Sequence, residues 1–283
     1  MSWWLARVRT AAGTIETLRT STSGEAPGPD ASWEPIADVI GAAHDALESG
    51  DLHSLVSTAE VRGPARTLLA DELLAPLAPQ KVFGIGRNYR AHARELGNEV
   101  PTTPLSFFKP PSCLQPSGAA LALPRGYERI DMESELVVVI GRRARSIAAS
   151  DAWDYVGGYA LGNDVSCRDL QRSDKQWTRA KGFDGFGPVS AFVRVVEPGW
   201  VLPVETLEIV GYLDDLEVQR GSLAAMVFSI PTLLEHLSAC MTLEVGDLVF
   251  TGTPAGVSAL SPGQVVRVEL EGLDLGRLVT PLT

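Results

Sequence analysis

Asp131-Met-Glu133-Ser-Glu135-Leu-Val-Val-Val-Ile140-Gly141 sets two glutamates at alternate positions just ahead of an unbroken apolar run. Alternate side chains of a strand point the same way, so Glu133 and Glu135 share a face. Leu136 to Ile140 is β-branched and closed by a glycine, which reads as a buried strand. Two carboxylates entering such a strand side by side repel each other and lose solvation unless something neutralises them. A divalent cation is one answer, and carboxylate oxygens favour Mg²⁺, Mn²⁺ or Ca²⁺ over zinc. The other answer is an exposed edge strand whose glutamates pair with Arg142 and Arg143. Asp131 has the same parity but lies nearer a loop, and reads as a supporting residue.

Working outward, the same texture of short strands with frequent Gly and Pro runs from Lys81 to the end of the chain. Lys81 to Gly86 reads as a strand. Val266, Val268 and Leu270 alternate with charged residues, as on a strand with one wet face. Thr206 to Tyr212 and Leu216 to Gln219 flank Asp214-Asp215 as a hairpin. One helix stands out, with Pro231 near its start and Leu233, Leu234, Leu237, Cys240 and Met241 on one stripe. His236 falls off that stripe and reads as exposed.

Ahead of Lys81, residues 1–76 read as a small accessory α+β domain and 77–283 as the main domain. The front part has a strand at Trp3 to Val8 and a Pro/Gly/Ser-rich loop from Thr20 to Ser32. A helix follows over Ile36 to Leu47, stopped near Gly50. His44 and His53 read as packing or surface residues. The Leu69 to Pro79 stretch reads as the passage between the two domains.

The 283 residues carry 45% hydrophobic and 21% charged side chains and a formal net charge of -11. That balance argues against a nucleic-acid partner, whose phosphates are neutralised by Lys and Arg. It leaves room for an anionic substrate, since a bound cation reverses the local field. Cys113, Cys167 and Cys240 are isolated and without CxxC spacing, and read as reduced thiols of a cytoplasmic protein. The opening Met1-Ser-Trp-Trp-Leu-Ala-Arg has too short an apolar run for a signal peptide. Leu136 to Ile140 falls far below the roughly 20 residues that span a bilayer, so no membrane role is expected.

Further segments carry chemistry. Gly162-Asn-Asp164-Val-Ser-Cys-Arg168-Asp169-Leu-Gln171 follows an apolar strand. A helical turn would put Asp164, Arg168 and Gln171 on one face. The alternative is a helix cap by Asn163 or Asp164 with an ordinary ion pair. In Gly86-Arg-Asn-Tyr-Arg-Ala-His92-Ala-Arg-Glu95, His92 and Glu95 are helical neighbours, either a general base with its orienting carboxylate or a surface pair. Gly84-Ile-Gly86 lacks the third glycine and the βαβ pattern of a dinucleotide site. Lys181 sits among aromatics and glycines, useful if partly buried and otherwise a snorkelling surface lysine. Thr251-Gly-Thr253-Pro is a strand running into a turn that can present hydroxyls and N–H groups to an anion.

Taken together, these segments resemble the fumarylacetoacetate hydrolase family from about Lys81 to the C-terminus. The likeness rests on Gly-Arg-Asn-Tyr-Arg-Ala-His92, Phe107-Phe-Lys-Pro-Pro111, Glu133-Ser-Glu135, Asn163-Asp-Val-Ser-Cys-Arg-Asp169, Gln176-Trp-Thr-Arg-Ala-Lys181 and Thr251-Gly-Thr-Pro254, in the family's order. Residues 1–76 resemble the family's N-terminal unit only loosely. The resemblance implies a mainly β fold with some α, a mixed β-sandwich roll, in a homodimer. It implies Glu133, Glu135 and Asp164 as ligands of Mg²⁺ (Mn²⁺ or Ca²⁺ in its place). His92 with Glu95 would activate water, Lys181 would stabilise developing charge, and Arg168, Gln171 and Thr253 would bind a small 2-oxo acid. The implied activity is hydrolysis of an acylpyruvate, such as the fumarylpyruvate of aromatic catabolism, to pyruvate and a carboxylic acid. Oxaloacetate decarboxylation and isomerisation of a dienoic 2-oxo acid use the same half-site, and a non-enzymatic binding protein that keeps the fold is a more distant possibility.

Overall fold

The apolar run Leu136 to Ile140 lies in the strand Ser134–Ile140, every residue of which is buried. Its two faces feed different cores, which is why the run does not alternate with polar residues. Leu136, Val138 and Ile140 pack into a large core with Tyr159, Leu161, Val266, Val268 and Leu278. Val137 and Val139 pack into a second core with Phe250, Val39, Ile40, Leu52 and Val56.

The structure is a computed structural model that describes residues 1–45 and 50–283. Its largest sheet runs, strand by neighbouring strand, through Glu34–Ile36, Ile15–Thr22, Ser2–Arg9, Val193–Val195, Val156–Asn163, Ser134–Ile140, Leu248–Phe250, Val82–Gly86 and Leu105–Lys109. Most pairs are antiparallel, but Leu248–Phe250 lies parallel to Val82–Gly86, so the sheet is mixed. A four-stranded antiparallel sheet, ordered Leu216–Ser222, Glu208–Leu213, Val265–Glu271 and Leu278–Pro281, packs on the first through the large core. The fold is thus mainly β with short helices, a mixed β-sandwich roll. Asp214 and Asp215 take φ of 51° and 65°, the left-handed pair that a two-residue hairpin turn requires.

Residues 1–76 join this architecture directly. Ser2–Arg9 pairs antiparallel with Val193–Val195, and Trp4, Val8, Leu18 and Trp33 enter the large core. Ile36 ends a strand, and the helix expected from it begins instead at Val39 and is described to Asp45. Positions 46–49 and the side chain of His44 lie outside the described residues. The strand Ile15–Thr22 also runs into the stretch expected as a loop. His53 Nε2 lies 3.9 Å from the exposed Glu197 carboxylate, an ordinary surface contact.

The helix Ile230–Cys240 buries Ile230, Leu233, Leu234 and Leu237, with Ser229 capping its start by accepting from Thr232 N. Cys240 departs from the expected stripe and is exposed, because the helix ends there and the chain turns away. His236 is half-buried rather than exposed. Among the described residues no helix is long and apolar enough to cross a membrane.

Where Ser134–Ile140 ends, its neighbour begins at very close range. A Cβ placed on Gly157 would stand 2.3 Å from Gly141 Cα, and backbone cannot yield as a flexible side chain does. Gly157→Ala therefore forces the two segments apart and should cost about 1–3 kcal/mol, the usual penalty of overpacking. Urea denaturation measures this, and an unchanged midpoint would contradict the packing described.

Candidate active site

Glu133 immediately precedes the central strand and Glu135 lies within it, while Asp164 follows the adjacent strand Val156–Asn163. The pairing of Ser134 with Asn163 draws the two strand ends together. Asn163 Oδ1 accepts from Glu133 N at 2.8 Å, and Asp164 N donates to Glu133 O at 2.9 Å. All three carboxylates are buried, and one oxygen from each lies within 4.8 Å of the others.

Positive charge is built in around them. Lys181 Nζ donates to Glu133 Oε2 and to Asp164 Oδ2, each at 2.7 Å. Lys109 Nζ donates to Asp164 Oδ1 at 2.7 Å and to the carbonyls of Lys181 and Phe186. Arg168 Nη2 stands 2.7 Å from Glu133 Oε1, and Arg168 Nε donates to Asp131 Oδ2 at 2.8 Å. Against the cost of burial, Lys181, Arg168 and His92 hold the Glu133 carboxyl well below the usual carboxylate range. Glu135 goes the other way: burial, Asp164 and Glu133 push its carboxyl well above that range. Among the described residues, its hydrogen bond comes from Gly252 N at 2.7 Å. Gly252 has φ of 100°, and a Cβ there would stand 2.7 Å from Asn88 Cβ, so this donor needs glycine.

Glu135 decides whether a cation suits these residues. Among the described residues no ammonium or guanidinium reaches it, although two other carboxylates crowd it. A divalent cation would supply the missing charge, and the donor set, all carboxylate oxygen, is that of a hard cation. The residues fit.

Arg168 and Gln171 do share a helical face, in the helix Arg168–Ser173, where Arg168 Nη1 donates to Gln171 Oε1 at 2.7 Å. Asp164 lies outside that helix, contrary to the spacing argument. A short strand, Ser166–Cys167, intervenes, and Cys167 rather than Asn163 or Asp164 precedes the helix. His92, Glu133, Arg168, Gln171, Lys181 and Thr253 all line one cavity of about 360 Å³, and Arg87, Arg129 and Arg172 join them. Thr253 reaches it with a hydroxyl that donates to Ser134 O and accepts from Gln219 Nε2.

His92 is buried on the helix Arg90–Glu95, with Nε2 3.8 Å from Glu133 Oε1. Burial, with Arg168 and Lys181, pushes its pKa down against the pull of Glu133 and Glu95. Glu95 is near rather than bonded. Its Oε2 lies 3.6 Å from His92 Nδ1, which among the described residues has no hydrogen-bond partner, while both Glu95 oxygens accept from Gly256 N at 3.1 Å.

Residues 81–283 match the model of the fumarylacetoacetate (FAA) hydrolase C-terminal domain. The chain belongs to the fumarylacetoacetate hydrolase family. It is 43% identical over 211 residues to a mitochondrial oxaloacetate tautomerase of Oryza sativa subsp. japonica, covering 72% of this chain and 91% of that one. It is 40% identical over 201 residues to a mitochondrial oxaloacetate decarboxylase of Dictyostelium discoideum, covering 69% and 90%. Among solved structures, a 5-carboxymethyl-2-hydroxymuconate delta-isomerase from Mycobacterium smegmatis superposes with a TM-score of 0.76 at 32% identity, covering 100% of this chain and 98% of that one.

Two residues at this family site escaped the sequence reading. Lys109 sits in Phe107-Phe-Lys-Pro-Pro111, where a lone lysine among aromatics and prolines was the available signal. Gln219 accepts from Ser134 N and donates to Thr253 Oγ1 and Pro254 O. Nothing in Leu216 to Ser222 marks it, because its role depends on a strand far away in sequence.

Glu135→Gln removes one of three crowded charges while keeping an oxygen for Gly252 N. The metal-free variant should melt no lower than wild type, and its stabilisation by added Mg²⁺ should largely vanish. Thermal scans with and without Mg²⁺ measure both, and an undiminished Mg²⁺ shift would remove Glu135 from the cation site.

Proposed function

We propose that this chain is a divalent-cation-dependent enzyme that interconverts, or decarboxylates through, the enol form of a dicarboxylic 2-oxo acid of the oxaloacetate type. The observation that carries the reading is three buried carboxylates, within 4.8 Å of one another, beside a cavity lined by Arg168, Lys181 and His92. Relatives named tautomerase, decarboxylase and isomerase support it. Tautomerisation and decarboxylation of oxaloacetate share an enol or enolate formed beside the 2-keto group.

Glu133, Glu135 and Asp164 are the residues that would hold the cation, with Mg²⁺ the proposed ion and Mn²⁺ or Ca²⁺ compatible with the same oxygens. When bound, the cation supplies Lewis-acid stabilisation of enolate charge. Arg168 binds the carboxylate beside the keto group, and Gln171, hydrogen-bonded to it, fixes its orientation. Lys181 places an ammonium beside the developing oxyanion. His92, kept neutral by burial, takes the proton from the carbon next to the keto group, and one proton is returned to the oxygen as the enol forms. In decarboxylation the C–C bond to the distal carboxylate breaks instead, its electron pair passes into the enolate beside Lys181, and a proton from water is then delivered to that carbon past His92.

Hydrolysis of an acylpyruvate is the second reading, favoured by the 3.6 Å separation of His92 and Glu95, from which a small turn would make a water-activating pair. Glu95 bonding to Gly256 N places it behind the first. A homodimer is also proposed: Leu105–Lys109 ends the largest sheet and exposes Leu105 and Phe108, a suitable edge for a second copy.

The decisive assay compares oxaloacetate and an acylpyruvate on chelator-stripped protein with and without Mg²⁺. Metal-dependent loss of enol or of CO₂ from oxaloacetate is expected. Cleavage of the acylpyruvate alone would establish the hydrolase instead, and inertness towards both would sink the enzyme reading. His92→Asn should lower turnover by about 10²–10⁴-fold while leaving the Mg²⁺ thermal shift in place.

A further inference from the structure

Six cationic or ionisable nitrogen-bearing side chains line the cavity: Arg87, His92, Arg129, Arg168, Arg172 and Lys181. All but Arg87 have carboxylate neighbours. Arg129 and Arg168 each lie 2.8 Å from Asp131, Arg172 lies 3.7 Å from Asp169, Lys181 bridges Glu133 and Asp164, and His92 faces Glu133 and Glu95. Among the described residues no carboxylate lies within salt-bridge reach of Arg87. Its guanidinium sits 5.9 Å from the Trp177 ring centroid, at the seam between this cavity and an adjoining groove that Arg87, Gln171 and Trp177 also line.

The backbone here is constrained as well. Arg87 has φ of 57°, a left-handed conformation that a residue with a Cβ adopts at a cost. Asn88 holds it there: Nδ2 donates to Thr251 O at 2.8 Å and Phe228 O at 3.1 Å, and Oδ1 accepts from Phe228 N at 2.8 Å. A glycine would meet this conformation without strain. An arginine in its place, half-buried at a cavity and without a carboxylate partner, has its charge available to a ligand.

We propose that Arg87 is the specificity residue for the far end of the substrate, pairing with a second carboxylate remote from the 2-oxo acid group. The inference rests on the proposed 2-oxo acid chemistry and goes beyond it by assigning the choice between dianionic and monoanionic substrates to one side chain. A guanidinium can bond a carboxylate through two parallel N–H groups, and the Trp177 ring, 5.9 Å away, flanks it. Arg168, assigned to the carboxylate beside the keto group, lies at the other end and leaves the distal carboxylate to Arg87.

Arg87→Gly tests this without confusing strain with recognition, because glycine tolerates the left-handed turn. Oxaloacetate and its 4-methyl ester, which lacks only the distal charge, are compared by ultraviolet-monitored ketonisation and by calorimetric binding to Mg²⁺-loaded protein. In Arg87→Gly the KM and Kd for oxaloacetate should rise on the order of 10- to 100-fold, with those for the ester little changed. The variant should melt no lower than wild type. An unchanged preference for oxaloacetate over the ester would overturn the assignment. If wild type turns over neither compound, the proposed activity fails, and the calorimetric preference still decides Arg87. Arg87→Gln gives the same comparison should glycine loosen the turn.

Discussion

Three carboxylates buried within one ion's reach of each other are the constraint around which this protein is arranged. Isolated, each would neutralise or refuse burial. Here two lysines and an arginine are buried with them, and Asp131 is buried in turn to hold the arginine. Glu135 is the least compensated member: Lys181 favours its charge without bonding it, Glu133 and Asp164 crowd it, and among the described residues its hydrogen bond comes from one backbone N–H. The site is thus tuned to accept further positive charge at one defined position.

The fold delivers this arrangement through strand pairing. Ser134–Ile140 and Val156–Asn163 are adjacent and antiparallel, so the start of one meets the end of the other, and both glutamates meet Asp164 there. The apolar residues that follow bury both faces of the central strand, which fixes register, since a slip of one residue would turn Glu133 and Glu135 away. The turn at Gly252 and the hydrogen bonds of Gln219 then join the central strand to the cavity wall. Core and site share the same strand, so packing errors in one become misplacement in the other.

Much of this was legible in the sequence because it is local. The apolar run, the i, i+2 glutamates, the Asp-Asp hairpin and the Leu233 to Leu237 helix each follow from spacing within a few residues. The six site residues His92, Glu133, Arg168, Gln171, Lys181 and Thr253 line one cavity, with Glu135 and Asp164 buried beside it. What spacing could not supply was long-range. Spacing alone puts Asp164 on the helix of Arg168, because sequence distance cannot show the intervening Ser166–Cys167 strand. Lys109 lies 55 residues from Asp164 along the chain, and only the folded sheet joins them. Glu95 was assigned to His92 by helical spacing, whereas a distant backbone N–H at Gly256 competes for its carboxylate. The reaction itself is the least legible feature, since proton shift, decarboxylation and C–C hydrolysis of a 2-oxo acid can all pass through an enolate held by the same kind of residues. In the proposed reading, enol chemistry on a 2-oxo acid of the oxaloacetate type stands ahead of the hydrolysis expected from the sequence.

Anomalous diffraction from crystals grown with Mn²⁺ addresses the central claim most directly. The predicted result is one Mn²⁺ ion coordinated by Glu133, Glu135 and Asp164 together, with Lys181 shifted from between Glu133 and Asp164 towards the cavity. A fully occupied manganese peak elsewhere, with the three carboxylates still bonded only to Lys109, Lys181 and Arg168, would contradict it.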